Sequence, residues 1–404
     1  MATAAVSPRA ASAGSQSTRP YAAHLYKPWG VKPVQLAIPW TDGATPSITS
    51  KIDLALPIRG LRFVLSGRLV IGGADFTSVN PEGLLNMIQE IVFSGNNSRQ
   101  GGNLTPWDID LPTAWTLPHL FKHRAGFFRI NGVQVPIPGT PWPATGATGY
   151  ANKVQGNYDF EIGWDLPFHP YNAPPEMIAG YLVRKEEWGD SLNLSFKFGH
   201  QANGTTGFLG VGAGGSTVAW SQLGGGGGTP LLDVYSLPLQ MGAIKNHVLP
   251  GVIVRNTRPI GTVLQSAGSP VAIATLQRVR TSRVFLKTGT TANGSAFDTL
   301  NDNNVTAVGL TSGGGSKVIR PVVDVRAYKM NQSEDWKREP IQGYLCLDFI
   351  ESGNPDSAFQ AQVPSVIDAG VTFELTADVA GVNNAFGLVF QEQIVHAHAG
   401  AIYS

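Results

Sequence analysis

The segment Ser191–Phe198 reads Ser-Leu-Asn-Leu-Ser-Phe-Lys-Phe, a strict period of two. In a β-strand, successive side chains point to opposite faces. Leu192, Leu194, Phe196 and Phe198 then share one face, and Ser191, Asn193, Ser195 and Lys197 the other. On a helix the same residues would scatter around the axis. Tyr158–Trp164 alternates likewise, with Phe160 and Ile162 opposite Asp159 and Glu161, and Val371–Thr376 sets Val371, Phe373 and Leu375 opposite Thr372, Glu374 and Thr376. Further strands are expected at Val34–Pro39, Leu61–Ile71, Ile88–Phe93, Leu231–Leu237, Val252–Asn256, Ala272–Thr275, Val284–Lys287, Val318–Tyr328, Gly343–Ile350 and Gly387–Val395. Most are short and bounded by Gly, Pro, Asn or Ser, as in antiparallel sandwiches and barrels. Helix signals are confined to Pro81–Met87, Thr116–His123 and Pro175–Tyr181. Strands do not alternate with helices of about 12 residues, which argues against a parallel α/β fold. The expected class is all-β, with a few short helices.

The halves of the chain echo each other. Ile58-Arg59-Gly60-Leu61-Arg62-Phe63-Val64-Leu65-Ser66-Gly67 and Val279-Arg280-Thr281-Ser282-Arg283-Val284-Phe285-Leu286-Lys287-Thr288-Gly289 are each a basic, aromatic and aliphatic strand ending at Gly. Tyr158–Trp164 is echoed by Gly343–Phe349, and Leu192–Phe198 by Val371–Leu375. The expected organisation is an arm over 1–32, a first β domain over 33–245 and a second over 246–404. Two long loops are expected in the first domain, at about 96–156 and 200–229, where Gly and Pro concentrate.

Charged residues make up only 14% of the chain, against about 25% in an ordinary soluble domain. Hydrophobic residues are 42%, which excludes a fully disordered chain, and glycine lacks the period of three of a collagen. The net charge of +1 gives no global case for nucleic-acid binding. It is unevenly spread, however. Met1–Thr41 has no acidic residue and carries Arg9, Arg19, Lys27 and Lys32. Residues 1–20 have almost no large apolar side chain with which to offset ordering entropy. The arm is therefore expected to be disordered in isolation or extended across a neighbour, with Tyr21, Leu25, Tyr26 and Trp29 near its end placed to dock onto a surface. No apolar run approaches the ~18 residues of a membrane span, and no secretory leader is expected. A single cysteine, Cys346, precludes an intrachain disulfide.

Motifs that carry chemistry fail on context. Gly210-Val211-Gly212-Ala213-Gly214-Gly215 satisfies G-x-G-x-x-G, but the segment after it is too short for the helix whose N-terminus would hold a pyrophosphate. Gly309–Lys317 lacks the Gly-Lys step of a phosphate loop. His119 and His123 have the i, i+4 spacing of a zinc protease without its Glu, since Leu120 stands there; His396 and His398 lack a third ligand. Cys346 sits in an apolar strand, where a thiol is usually inert. No catalytic, cofactor or metal site is expected. The tryptophans Trp107, Trp115, Trp142 and Trp164 lie among expected loops, and as a stacking platform they would support an alternative reading as a carbohydrate-binding or carbohydrate-active β-sandwich.

Polar arm, tandem β domains, long Gly/Pro loops, few charges and no catalytic motif together resemble the double jelly-roll major capsid proteins of tailless icosahedral bacteriophages. Leu61–Gly95 carries much of this: the strand Leu61–Ile71, the short helix Pro81–Met87, then the strand Ile88–Gly95. The resemblance implies two tandem eight-stranded antiparallel jelly rolls. It also implies a homotrimeric, pseudo-hexagonal capsomer that self-assembles into an icosahedral shell and has no enzymatic activity. Its partners would be copies of itself, penton or minor capsid proteins and, through the arm, an internal membrane, with no sequence-specific nucleic acid. The location would be the virion, after synthesis in the host cytoplasm. The arm residues expected to serve assembly are Arg9, Arg19, Tyr26, Lys27, Trp29 and Lys32. Low charge suits such a subunit, because interface cores are depleted in charge.

Overall fold

The computed structural model describes residues 34–37, 47–54, 57–98, 102–120, 126–135, 154–171, 181–189, 191–199, 201, 203–205, 207–238, 251–259, 264–265, 268–276, 280–291, 299–312, 318–336, 341–349, 359–360 and 373–396. The first half holds β1 (Val34–Ala37), β2 (Ser47–Asp53), β3 (Ile58–Gly72), β4 (Phe76–Val79), β5 (Ile88–Asn97) and β6 (Gly102–Ile109). It continues with α1 (Leu111–Leu120), β7 (Gly126–Ile130), β8 (Val133–Gln134), β9 (Gly156–Pro167), α2 (Lys185–Trp188), β10 (Ser191–Phe198), β11 (Gly210–Gly212), β12 (Thr217–Ser221) and β13 (Leu231–Pro238). The second half holds β14 (Gly251–Pro259), β15 (Gly268–Leu276), β16 (Arg280–Thr290), β17 (Thr299–Leu300), β18 (Val305–Ser312) and β19 (Val318–Asp324). After these come α3 (Val325–Trp336), β20 (Tyr344–Asp348), β21 (Phe359–Gln360), β22 (Phe373–Val379) and β23 (Ala385–His396).

Each half builds two facing sheets from eight principal strands. In the first half the order is β1-β13-β3-β9 on one sheet and β2-β10-β5-β6 on the other. In the second it is β14-β23-β16-β20 and β15-β22-β18-β19. Numbered by position in the chain, both halves give first–eighth–third–sixth and second–seventh–fourth–fifth. That shared permutation is the jelly-roll winding, so the chain is two jelly rolls in tandem. The echoes read from sequence match strand for strand: β3 with β16, β9 with β20, β10 with β22.

Alternation becomes burial along these strands. On β10, Leu192, Leu194, Phe196 and Phe198 are buried, while Asn193 and Lys197 are exposed. On β3, Leu61, Phe63, Leu65, Leu69 and Ile71 point into the first core, where Phe63 stacks on Trp164 at 4.9 Å. A second cluster, including Val284, Leu286, Val308, Leu310, Leu345 and Val389, fills the second roll.

Five expectations need correction. The stretch 96–156, expected as one long loop, contains β6, α1, β7 and β8. Proline hid them. Pro106 sits in β6 where the register with β5 shifts between Phe93 and Gly95, a bulge that spares it a ladder bond, and Pro118 lies inside α1. The stretch 200–229 likewise carries β11 and β12. The strand expected over Val318–Tyr328 stops at Asp324, and α3 begins at Val325. Asp324 accepts a hydrogen bond from the Arg326 N–H at 2.7 Å, an N-cap-like contact to one of the first-turn donors. Pro81–Met87 is a short 3₁₀ turn over Gly83–Met87, and the helix expected at Thr116–His123 starts earlier, at Leu111. Of Pro175–Tyr181, all but Tyr181 lies outside the described residues.

Candidate functional site: the seam between the rolls

Strand β16 sends alternate side chains in two directions. Val284 and Leu286 enter the second roll's own core. Phe285, on the other face, joins Tyr344 and Cys346 of β20 and Phe390 of β23 in an apolar cluster continuous with Leu84, Leu85, Met87, Leu111 and Trp115 of the first roll. Strands β16 and β20 are thus buried on both faces, which explains why four consecutive residues of β20, Tyr344–Leu347, are all buried. What covers its outer face is the 3₁₀ turn Gly83–Met87 and α1, two segments that leave the first roll between its principal strands.

The outer face has three rungs. Register pairs Arg283 with Glu392 and Asp348, Phe285 with Phe390 and Cys346, and Lys287 with Leu388 and Tyr344. In the middle rung the Phe285 and Phe390 rings lie 5.4 Å apart. The end rungs carry charge. Lys287 Nζ stands 2.6 Å from Glu82 Oε2 and 3.4 Å from Asp110 Oδ2, both in the first roll. The Tyr344 hydroxyl donates to Glu82 Oε1 at 2.6 Å. At the other end Arg283, fully buried, reaches Asp348 at 3.2 Å and Glu392 at 3.1 Å. A bulge between Thr281 and Arg283 lets the Ser282 hydroxyl donate to the same Glu392 oxygen at 2.7 Å.

Burial governs the protonation of these groups. It pushes the Glu82 carboxyl above the usual carboxylate range, against the opposing pull of Lys287. It raises Tyr344 well above the ordinary phenol value, and the neighbouring Glu82 charge adds to this. Arg283 loses hydration too, but Asp348 and Glu392 more than offset that and hold its pKa above the ordinary value. Each cation faces two carboxylates; those of Lys287 belong to the first roll and fix one roll against the other, while those of Arg283 belong to its own sheet. A backbone link adds to it. Strand β14 pairs in parallel with β6 at Arg255–Trp107 and Asn256–Asp108, joining sheets of both rolls into one of ten strands.

Nothing in the sequence identified Glu82, Asp110, Lys287 or Tyr344 as partners; Glu82 and Lys287 are 205 positions apart. The only available signal was a lysine alternating with apolar residues in a strand that also reads as core.

The residues singled out from sequence fall elsewhere. Arg9, Arg19, Tyr26, Lys27, Trp29 and Lys32 lie outside the described residues, as do Trp142, His123 and His398. Trp107, Trp115 and Trp164 are at most 1% exposed, so they offer no platform to a sugar. Trp107 stacks on Phe168 at 4.6 Å instead. Cys346 is a buried thiol of the seam. Gly210–Gly212 is strand β11, paired with β4, and strand β12 follows rather than a helix. The run Gly224–Gly228 closes the turn between β12 and β13. Gly225 has φ +81°, and a Cβ there would lie 2.3 Å from Arg68 Nη1, so a larger residue would strain the backbone and push the Arg68 side chain aside from its pairing with Asp159. Among the described residues no three His, Cys, Asp or Glu side chains group as a metal site.

No family model matches the sequence, and no curated protein matches it. Solved structures do match the fold. The STIV major capsid protein superposes with a TM-score of 0.54 at 15% identity, covering 90% of this chain and 95% of that one. A chain of the atomic structure of Sulfolobus Turreted Icosahedral Virus gives 0.52 at 13% identity, covering 90% of each. Vp54 of PBCV-1, fitted into a reconstruction of the virophage Sputnik, gives 0.50 at 10% identity, covering 90% of this chain and 93% of that one. The fold is that of the double jelly-roll capsid proteins.

Proposed function

We propose, from a double jelly-roll fold that extends over nine-tenths of the chain, that this protein is the major capsid subunit of an icosahedral virus. The observation that carries the reading is the pairing of two like rolls across a buried seam, in a fold otherwise seen here in capsid proteins. The working unit is a homotrimer whose six rolls make a pseudo-hexagonal capsomer, and capsomers associate into a shell. The role is structural, not enzymatic. The chain divides into an arm over 1–32, a roll over 33–245 and a roll over 246–404. The arm, through Arg9, Arg19, Tyr26, Lys27, Trp29 and Lys32, contacts neighbouring subunits or an internal membrane. Penton or minor capsid proteins complete the particle, which is assembled from protein made in the host cytoplasm. The host need not be a bacterium, since viruses of other hosts share the fold.

Electron microscopy of the purified protein tests this: shells or hexagonal sheets are expected, and a protein that stays monomeric at every concentration overturns the reading. Deleting residues 1–20 should leave the circular dichroism spectrum unchanged and reduce particle yield. Normal yield from the truncation removes the arm from assembly.

A further inference from the structure

We infer that the outer face of the first roll's sheet β13–β3–β9, centred on the Arg62–Asp165 pair, docks the α3 side of the second roll of another copy of this chain. The inference rests on the capsomer reading and deepens it by naming the two surfaces that meet.

The two rolls repeat each other down to an ion pair. Their third principal strands both contain Arg-x-x-Arg, as Arg59–Arg62 in β3 and Arg280–Arg283 in β16. In each, the second arginine lies in register with an aspartate on the sixth strand: Arg62 with Asp165, and Arg283 with Asp348. Arg62 holds Asp165 through two parallel hydrogen bonds of 2.7 and 2.8 Å. This registers the outer faces residue by residue, Val64 corresponding to Phe285 and Ser66 to Lys287. On the second roll that face is closed by the first roll, and Arg283 has no exposed surface. On the first roll the Arg62 side chain remains 40% exposed.

The covering element repeats as well. A helix follows the fifth principal strand in each roll, α1 after β6 and α3 after β19. Residues 111–118 of α1 are buried throughout, between its own roll and the face it covers. Helix α3 buries Val325, Lys329 and Gln332 against its own roll, where Lys329 meets Asp302 at 2.5 Å and Gln332 donates to the Cys346 carbonyl. Its opposite side carries Arg326, Met330 and Glu334 in one exposed stripe, and Met330 is 68% exposed.

The chain therefore makes one head-to-tail contact internally and keeps the two complementary halves of a second. A head-to-tail contact between like units repeats, and where its rotation closes it makes a ring. A second copy is the occupant because the half-buried face and the exposed helix correspond to the two sides of the seam. The contact between copies is more polar than the seam, with Val64 and Ser66 where the seam has Phe285 and Lys287. It is accordingly the weaker of the two, as suits subunits that must first exist apart.

Crosslinking locates the contact. Met330→Cys, alkylated with a maleimide benzophenone, places a photoreactive group on α3, while buried Cys346 stays unlabelled. Mixed light and nitrogen-15 subunits identify links between copies by mass spectrometry. Links to residues 61–68, 159–166 or 231–237 of another copy are expected. An oligomer whose links fall elsewhere overturns this inference and leaves the capsomer reading standing; a protein with no oligomer overturns both. Met330→Asp, at an exposed position, should keep the melting temperature and weaken self-association by about tenfold or more. Unchanged self-association counts against α3.

Discussion

Lys287 and Glu82 are each costly to bury alone and tolerable together. Replacing Lys287 with Met leaves Glu82 and Asp110 facing an apolar surface without their cation, and the expected loss is about 3–5 kcal/mol. The loss should depend on pH in a stated direction. Burial already holds Glu82 above the usual carboxylate range, and Lys287 is the main influence opposing that rise. Without Lys287 the folded-state value climbs further. A carboxyl whose folded pKa is raised contributes its stability below the unfolded pKa and loses it as pH rises through the folded value. The variant therefore loses more than the parent as pH rises, and the gap between them widens as pH climbs from the ordinary carboxylate range, about 4, toward neutrality. Urea denaturation at both ends of that window checks it, and a gap of constant size would place the defect in packing alone. This residue pair was not legible in the sequence. Alternation assigned Lys287 a face, but which surface covered that face depended on the first roll folding against it.

Among the elements, legibility followed the strength of alternation. β10 was read to its exact limits because its apolar residues are large and every second position is polar. β2, Ser-Ile-Thr-Ser-Lys-Ile-Asp, was missed, since an edge strand with only two apolar residues reads as loop. β18, Val-Thr-Ala-Val-Gly-Leu-Thr-Ser, was missed because Gly309 and small residues blur its faces. α3 was masked by the β-branched run of β19 that leads straight into it, with no proline or glycine to mark the junction. β16 is enclosed, hydrogen-bonded along one edge to β23 and along the other to β20, with residues 282–289 buried. Its amides at 283–288 should exchange only on global unfolding, while those at the outer edge of β2, which has no strand partner among the described residues, exchange orders of magnitude faster. Hydrogen–deuterium exchange with peptide mapping measures this. Fast exchange at 283–288 would mean that the seam opens in the native state.

For the whole molecule, the tandem arrangement was legible because duplicated strands keep their character even where identity is lost, as the two Arg-x-x-Arg strands do. The seam was not, because a face buried against a second domain and a face buried in its own core look alike in sequence. The low charge fraction, 14%, has a partial cause within one chain, since Phe285, Tyr344, Cys346 and Phe390 on the outer face of the second roll's sheet are withdrawn from water. Two rolls that share an apolar cluster should not melt separately. Calorimetry is expected to give one transition with matching calorimetric and van't Hoff enthalpies, and two resolved transitions would show the rolls to be independent. The parallel link between β6 and β14 bears on mechanics. Any hinge between the rolls would have to break that ladder and expose Lys287, so a subunit behaves as a stiff plank. In the shell proposed above, curvature has to come from the angles at which such planks abut, and one sequence can then tile surfaces of different radius without bending any copy of itself.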